Sequence, residues 1–156
     1  MIKLLRVDHR LLHGQVAFSW TSHLSADCIL IANDDVAVNE LRKMTIKLAK
    51  PSGVKLVIKN IDDSIKAINS GVTDKYKLFI VVESIEDAYK LVSNCKSITK
   101  VNLGGTKSTS NTRNISKSIN VTEDEINLIN EMNINGIDVA IQMVPSDREI
   151  KAVSVI

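Results

Sequence analysis

Ile2-Lys3-Leu4-Leu5-Arg6-Val7-Asp8-His9-Arg10-Leu11-Leu12-His13-Gly14-Gln15-Val16 carries the chain from an apolar run of strand length into the start of a helix. Two arginines, two histidines and an aspartate crowd between Ile2–Leu5 and the apolar stretch Val16–Trp20. A strand that hands over directly to a helix is the repeating unit of a parallel α/β sheet, and the loop between them opens at the carboxyl edge of that sheet. There the free amides of a helix N-terminus favour negative charge. Polar residues gathered at such a junction point to anion chemistry, with phosphate the leading candidate. The plainer alternative is that His13-Gly14 is turn chemistry alone.

Outward from this junction the pattern repeats. Short, β-branched apolar runs predict strands at 2–7, 27–32, 54–58, 78–82, 98–103, 115–119 and 139–143, and runs that are apolar throughout imply burial on both faces. Amphipathic stretches between them predict helices at 14–22, 36–50, 62–69, 85–94 and 123–135. Thr122-Glu-Asp-Glu125 has the spacing of a capping box, and Ser84 precedes two acids as an N-cap. Lys50-Pro51-Ser52-Gly53, Gly71 and Gly136 are helix stops. Strands alternating with helices at this spacing predict an open, mainly parallel, twisted α/β sheet with helices on both faces, folded as one domain over residues 1–156. The hydroxyl-rich stretch Gly104–Asn114 breaks the rhythm and reads as a long ligand-side loop.

The bulk composition narrows the function. The chain has 156 residues, a net charge of only +2 and 3% aromatics, which gives nothing for nucleic acid to be drawn to or stacked upon. Cys28 and Cys95 lie far apart in apolar runs without CxxC spacing, as buried residues of a reducing compartment do. No secretory h-region is visible, and no run approaches the ~20 residues of a membrane span. The expectation is a cytoplasmic protein that reaches a membrane only through a partner. GxGxxG, GxxxxGK[ST] and GxSxG are all absent, so an ordinary dehydrogenase, kinase or serine hydrolase is disfavoured. Asp8, His9 and His13 lack a second ligand cluster and stand among arginines, so neither a metal nor another cofactor is expected.

His13 has the best address for chemistry. A neutral imidazole offers a lone pair near pH 7 and can act as a nucleophile. Gly14 lets the backbone approach a phosphoryl group without a Cβ in the way, and Arg10 supplies the planar fork that matches phosphate oxygens. Arg6 either caps a sheet edge or pairs with Asp8. Asp34 and Asp35 cap the next helix, and Asp34 is also a candidate to orient a histidine. His9 reads as a solvated loop residue and His23 as a cation at a helix C-terminus.

The segment VDHRLLHGQV, residues 7–16, closely resembles the signature of the IIB components of the mannose/fructose/sorbose family in the bacterial sugar phosphotransferase system. Further motifs follow in the family's order: Ala32-Asn33-Asp34, Lys50-Pro51-Ser52-Gly53, Asn102-Leu103-Gly104-Gly105 and Gln142-Met-Val-Pro145-Ser-Asp147. The resemblance implies a phosphohistidine carrier, a protein phosphohistidine–sugar phosphotransferase. His13 would take a phosphoryl group, on Nδ1, from a IIA partner and donate it to a sugar held by the membrane components IIC and IID. Arg10 matches the arginine that steadies the phosphate, and Asp8 and Gln15 match further motif positions; the reading of the residues themselves adds Gly14 to this loop and Arg6 and Asp34 as candidates behind it. His9 departs from the family, where an acid or amide is common. A homo-oligomer is compatible with this reading. The alternative is a non-catalytic module that binds phosphate or a phosphosugar and regulates a partner.

Overall fold

Two strands, β2 (Cys28–Ala32) and β4 (Leu78–Val82), are buried at every residue, which requires helices on both sides of the sheet that holds them. In the computed structural model, which describes all of Met1–Ile156, they flank each other near the middle of a seven-stranded sheet. Its other members are β1 (Ile2–Asp8), β3 (Lys55–Lys59), β5 (Lys100–Gly105), β8 (Asp138–Ile141) and β9 (Ile150–Lys151), and the spatial order is β3-β2-β4-β1-β5-β8-β9. All neighbours are parallel except β9, which runs antiparallel to β8 at one edge.

Alternation along each strand sends side chains to two separate cores. Leu5, Val7, Leu30, Ile80 and Leu103 meet α4 (Ile61–Ser70), α5 (Ile85–Asn94) and α6 (Glu123–Ile134) in the larger one. Leu4, Ile29, Ile31, Phe79 and Val81 meet α1 (Gly14–Leu24), α2 (Asp34–Val38) and α3 (Glu40–Leu48) in the smaller. The cores hold 25 and 12 buried residues, so the α1–α3 side is the thinner layer. Arg6 and Asp8 are two residues apart on the central strand and therefore share a face. Arg6 lies on the thin side, its guanidinium carbon 5.2 Å from the centre of a Trp20 ring.

The helix starts follow their caps. Ser84 Oγ accepts from the Asp87 amide at 3.1 Å, and Thr122 with Glu125 forms the reciprocal capping box. Three sequence expectations are corrected. The helix expected at 36–50 divides at Asn39, whose side chain accepts from the Arg42 amide at 3.1 Å and so starts a new helix. The strand expected at 115–119 is an antiparallel hairpin of β6 (Arg113–Ser116) and β7 (Ile119–Val121), outside the main sheet. Gly104 and Gly105 belong to β5 rather than to the loop, which shortens the irregular stretch after that strand.

Candidate functional site

The carboxyl end of β1 delivers Asp8 to the middle of the sheet edge, where its carboxylate is fully buried. An isolated buried carboxylate would protonate, but this one is surrounded by donors. Asp8 Oδ2 accepts from an Arg6 guanidinium nitrogen at 3.1 Å and lies 3.0 Å from His13 Nε2. Oδ1 accepts from the Arg10 amide at 3.0 Å, with Arg10 Nε 3.8 Å away. Burial pushes the Asp8 carboxyl up, and the hydrogen bonds from His13 and the Arg10 amide, with the Arg6 charge, outweigh it and hold its pKa below the usual value. An ionised carboxylate only accepts. In the neutral His13 ring the tautomer that suits this contact carries its proton on Nε2 and its lone pair on Nδ1.

The loop around His13 is pinned from below. Leu11 and Leu12 are buried in the smaller core, although Leu11 adopts the left-handed φ of 58°, a conformation that disfavours a side chain by roughly 1–2 kcal/mol. The Leu11 amide donates to Asp8 O at 2.8 Å and closes the turn. His13 then occupies the N-cap of α1 without any side-chain cap bond, and Gly14 follows at φ 38°. The first amides of α1 thus keep their hydrogen-bonding capacity for an anion. The His13 side chain is 23% exposed and that of Arg10 54%, so an imidazole and a guanidinium stand side by side at the rim, open to solvent. Gly14 and Gln15 are exposed beside them.

Arg6 is 2% exposed. Besides Asp8 it donates to Asn102 Oδ1 at 2.7 Å and to Gln142 O at 3.2 Å, and Asn102 Nδ2 donates to the same Gln142 carbonyl at 3.0 Å. Trp20 Nε1 donates to Met143 O at 2.9 Å and closes this floor. Of the two roles open to Arg6 in the sequence, the structure shows the pairing with Asp8, inside the sheet rather than at its edge. Burial lowers its pKa and Asp8 opposes that shift. Gly104 is bare because Arg6 needs the space: a Cβ there would fall inside the guanidinium group. Sequence reasoning quoted Asn102, Gly104 and Gln142 only as motif residues. Their spacing from Arg6, 96 residues for Asn102, hides what they do.

Asp34 is not part of this cluster. Its Oδ1 accepts from the Ile61 amide at 2.9 Å, tying α2 to the start of α4, and the cap of α2 is Asn33, which accepts from the Val36 amide at 2.9 Å. The carboxylate on His13 is that of Asp8. His9 is half-buried rather than solvated: its amide donates to Gly105 O at 3.0 Å, and ring Nδ1 is enclosed without a partner. Its ring borders a 400 Å³ cleft with a wholly polar lining that includes Arg42, Glu83, Thr106 and Lys107, so the loop after β5 does stand beside the β1–α1 loop. His23 is exposed in the last turn of α1, its ring edge-on to Trp20 at 5.9 Å.

The structure is a single α/β domain whose central parallel strand ends in a buried carboxylate, with a histidine held at the next helix start. The family described as "PTS system sorbose subfamily IIB component" matches residues 2–156, and the chain belongs to it. It is 32% identical over 146 residues to the fructose-specific EIIB component of Bacillus subtilis, covering 94% of this chain and 90% of that one. A probable phosphotransferase enzyme IIB component of Streptococcus pyogenes is 42% identical over 103 residues, covering 66% of this chain and 63% of the relative. The chain matches 48% of the mannose-specific EIIAB component of Escherichia coli, at 28% identity over its full length. The IIBSor domain of the sorbose permease from Klebsiella pneumoniae superposes with a TM-score of 0.93 at 25% identity, covering 99% of this chain and 94% of that one. The chain is thus a sugar phosphotransferase-system IIB component.

Proposed function

We propose that the protein is a phosphohistidine carrier in which His13 takes a phosphoryl group from a IIA partner and passes it to a sugar held by IIC and IID membrane components. The observation that carries this reading is the 3.0 Å contact of Asp8 Oδ2 with His13 Nε2. It supports a neutral ring with its lone pair on Nδ1, and with it that nitrogen as the nucleophile. Nδ1 attacks the phosphorus of the donor phosphohistidine, the donor's N–P bond breaks, and the donor imidazole leaves with the electron pair. The His13 ring is then cationic, with Nε2–H still facing Asp8, and the buried carboxylate stabilises that charge as it does in a catalytic triad. In the second step a sugar hydroxyl oxygen attacks the same phosphorus, the Nδ1–P bond breaks, and the hydroxyl proton passes to solvent.

Phosphoryl transfer through a loose transition state depends on positioning and charge stabilisation. Arg10 supplies a guanidinium fork for the equatorial oxygens, and the amides at Gly14 and Gln15 supply the helix-start dipole. Both are exposed at the rim, which suits a carrier that two large partners must reach in turn. The protein works in the cytoplasm and meets the membrane through those partners. Incubation with a phosphorylated IIA protein tests the proposal. Label should enter the wild type and His9→Ala, survive denaturation and be lost in acid, and His13→Ala should take up none. Reversible phosphate binding with no denaturation-stable label would identify a regulatory phosphate-binding module instead.

A further inference from the structure

The net charge of +2 conceals an uneven distribution. Six lysines, Lys43, Lys47, Lys50, Lys55, Lys59 and Lys75, line two grooves that run along either side of the edge strand β3, and neither lining includes an acid. Only Lys43 pairs with a carboxylate, that of Glu40. The grooves have apolar floors, with Leu56 and Ile58 on one side of β3 and Val57 and Leu78 on the other.

Beside these lysines the thin layer of the fold leaves apolar side chains uncovered. Leu41, Met44 and Leu48 of α3 are 75%, 61% and 88% exposed, and Val72, at the rim of the second groove, is 59% exposed. At 3.6 residues per turn Leu41, Met44 and Leu48 fall within roughly 60° of one another on the helix. Glu40, which pairs with Lys43, then Lys47 and Lys43 come next around it, and both lysines line the β3 groove. Only Ile46 of this helix is buried. The stripe is turned away from the protein, and Lys47 and Lys43, the latter paired with Glu40, stand between it and the sheet edge.

We infer that the β3 edge, with the outer face of α3, rests on an anionic phospholipid surface. Lysine-rich clusters beside exposed aliphatic side chains are the mark of interfacial binding, in which headgroup phosphates meet the ammonium groups and the apolar side chains enter the acyl boundary. The charges are all lysine, flexible point charges suited to a fluid layer of phosphates, rather than arginine forks aimed at fixed carboxylates. They also straddle the strand from both sides, as contact with an extended surface requires. This contact would hold the carrier at the bilayer independently of His13 chemistry.

Vesicle flotation of the intact protein tests the inference. Phosphatidylglycerol–phosphatidylethanolamine vesicles should retain it, and phosphatidylcholine vesicles should not, with retention falling steeply as salt rises from about 0.1 M to about 1 M. Lys47→Gln/Lys59→Gln/Lys75→Gln should weaken retention by more than about tenfold, and Leu41→Gln/Leu48→Gln should weaken it at an unchanged melting temperature. Lys90→Gln/Lys96→Gln/Lys117→Gln removes the same charge elsewhere and should leave retention nearly intact. No retention on anionic vesicles, equal retention on neutral ones, or equal weakening by the second lysine set would overturn the inference. So would a dimer in sedimentation equilibrium that Leu41→Gln/Leu48→Gln dissolves, because a second copy would then cover this face.

Discussion

Asp8 Oδ2 and His13 Nε2 stand 3.0 Å apart, and the same oxygen accepts from Arg6 at 3.1 Å. One buried atom thereby couples the sheet interior to the ring at the rim. Asp8→Asn keeps the shape and removes the charge, leaving Arg6 buried against neutral acceptors. Breaking a buried pair in this way destabilises by about 3–5 kcal/mol, and phosphoryl transfer should slow as well. Urea denaturation beside single-turnover transfer checks both effects, and an Asp8→Asn variant as stable as the wild type would contradict the account.

The pH dependence of stability has a defined sign. The folded pKa of Asp8 lies below its usual value, so the stability it contributes is fully present above the unfolded carboxylate pKa of about 3.9 and is lost as pH falls through the folded pKa. Wild-type stability should therefore fall more steeply than that of Asp8→Asn as the solution is acidified below about pH 4. Acid-titration curves of the two proteins with equal slopes would show that Asp8 is not held ionised.

Adjacent glycines should respond differently to the same methyl group. In Gly104→Ala the new Cβ collides with the Arg6 guanidinium, whereas in Gly105→Ala the nearest atoms, Asp8 Oδ1 and His9 Nδ1, are 3.6 Å away at ordinary contact. Overpacking at Gly104 should cost about 1–3 kcal/mol, and the melting temperature of Gly105→Ala should stay near wild type. Equal melting temperatures for the two variants would mean that Arg6 does not need the bare strand.

This contrast marks where sequence reading reaches its limit. The alternating plan was legible because β2 and β4 are apolar at every position and because Ser84 and Thr122 announce their helices. The site was half legible. His13, Arg10 and Asp8 lie within six residues, and local spacing brought them together. Arg6 is satisfied by Asn102 and by the main chain at Gln142, and no local pattern predicts a partner across that distance. Asp34 illustrates the converse: it is close to a sheet-edge loop in the sequence, yet its carboxylate serves the Ile61 amide. Asn39 divides a helix because an asparagine inside an amphipathic run is also a good N-cap. The two-residue strand β9 has too little sequence to carry a period.

Arg10 is exposed and holds no part of the core, so its loss should be kinetic. Arg10→Lys keeps the charge and loses the planar fork. Transfer to and from His13 should slow by at least about tenfold, equivalent to about 1.4 kcal/mol of transition-state stabilisation, with partner affinity changed far less. Stopped-flow transfer beside calorimetric titration of the IIA partner separates the two. Unchanged rates with collapsed binding would make Arg10 a docking residue.

The most direct measurement is the position of the phosphate itself. Protein carrying 15N-labelled histidine, phosphorylated by its IIA partner and examined by 31P and 15N NMR, reports both the residue and the ring nitrogen. The account predicts one phosphohistidine, at His13, with phosphorus on Nδ1 and the Nε2 proton retained toward Asp8. Phosphorus on Nε2 of His13, or on His9 with His13 unmodified, would contradict it.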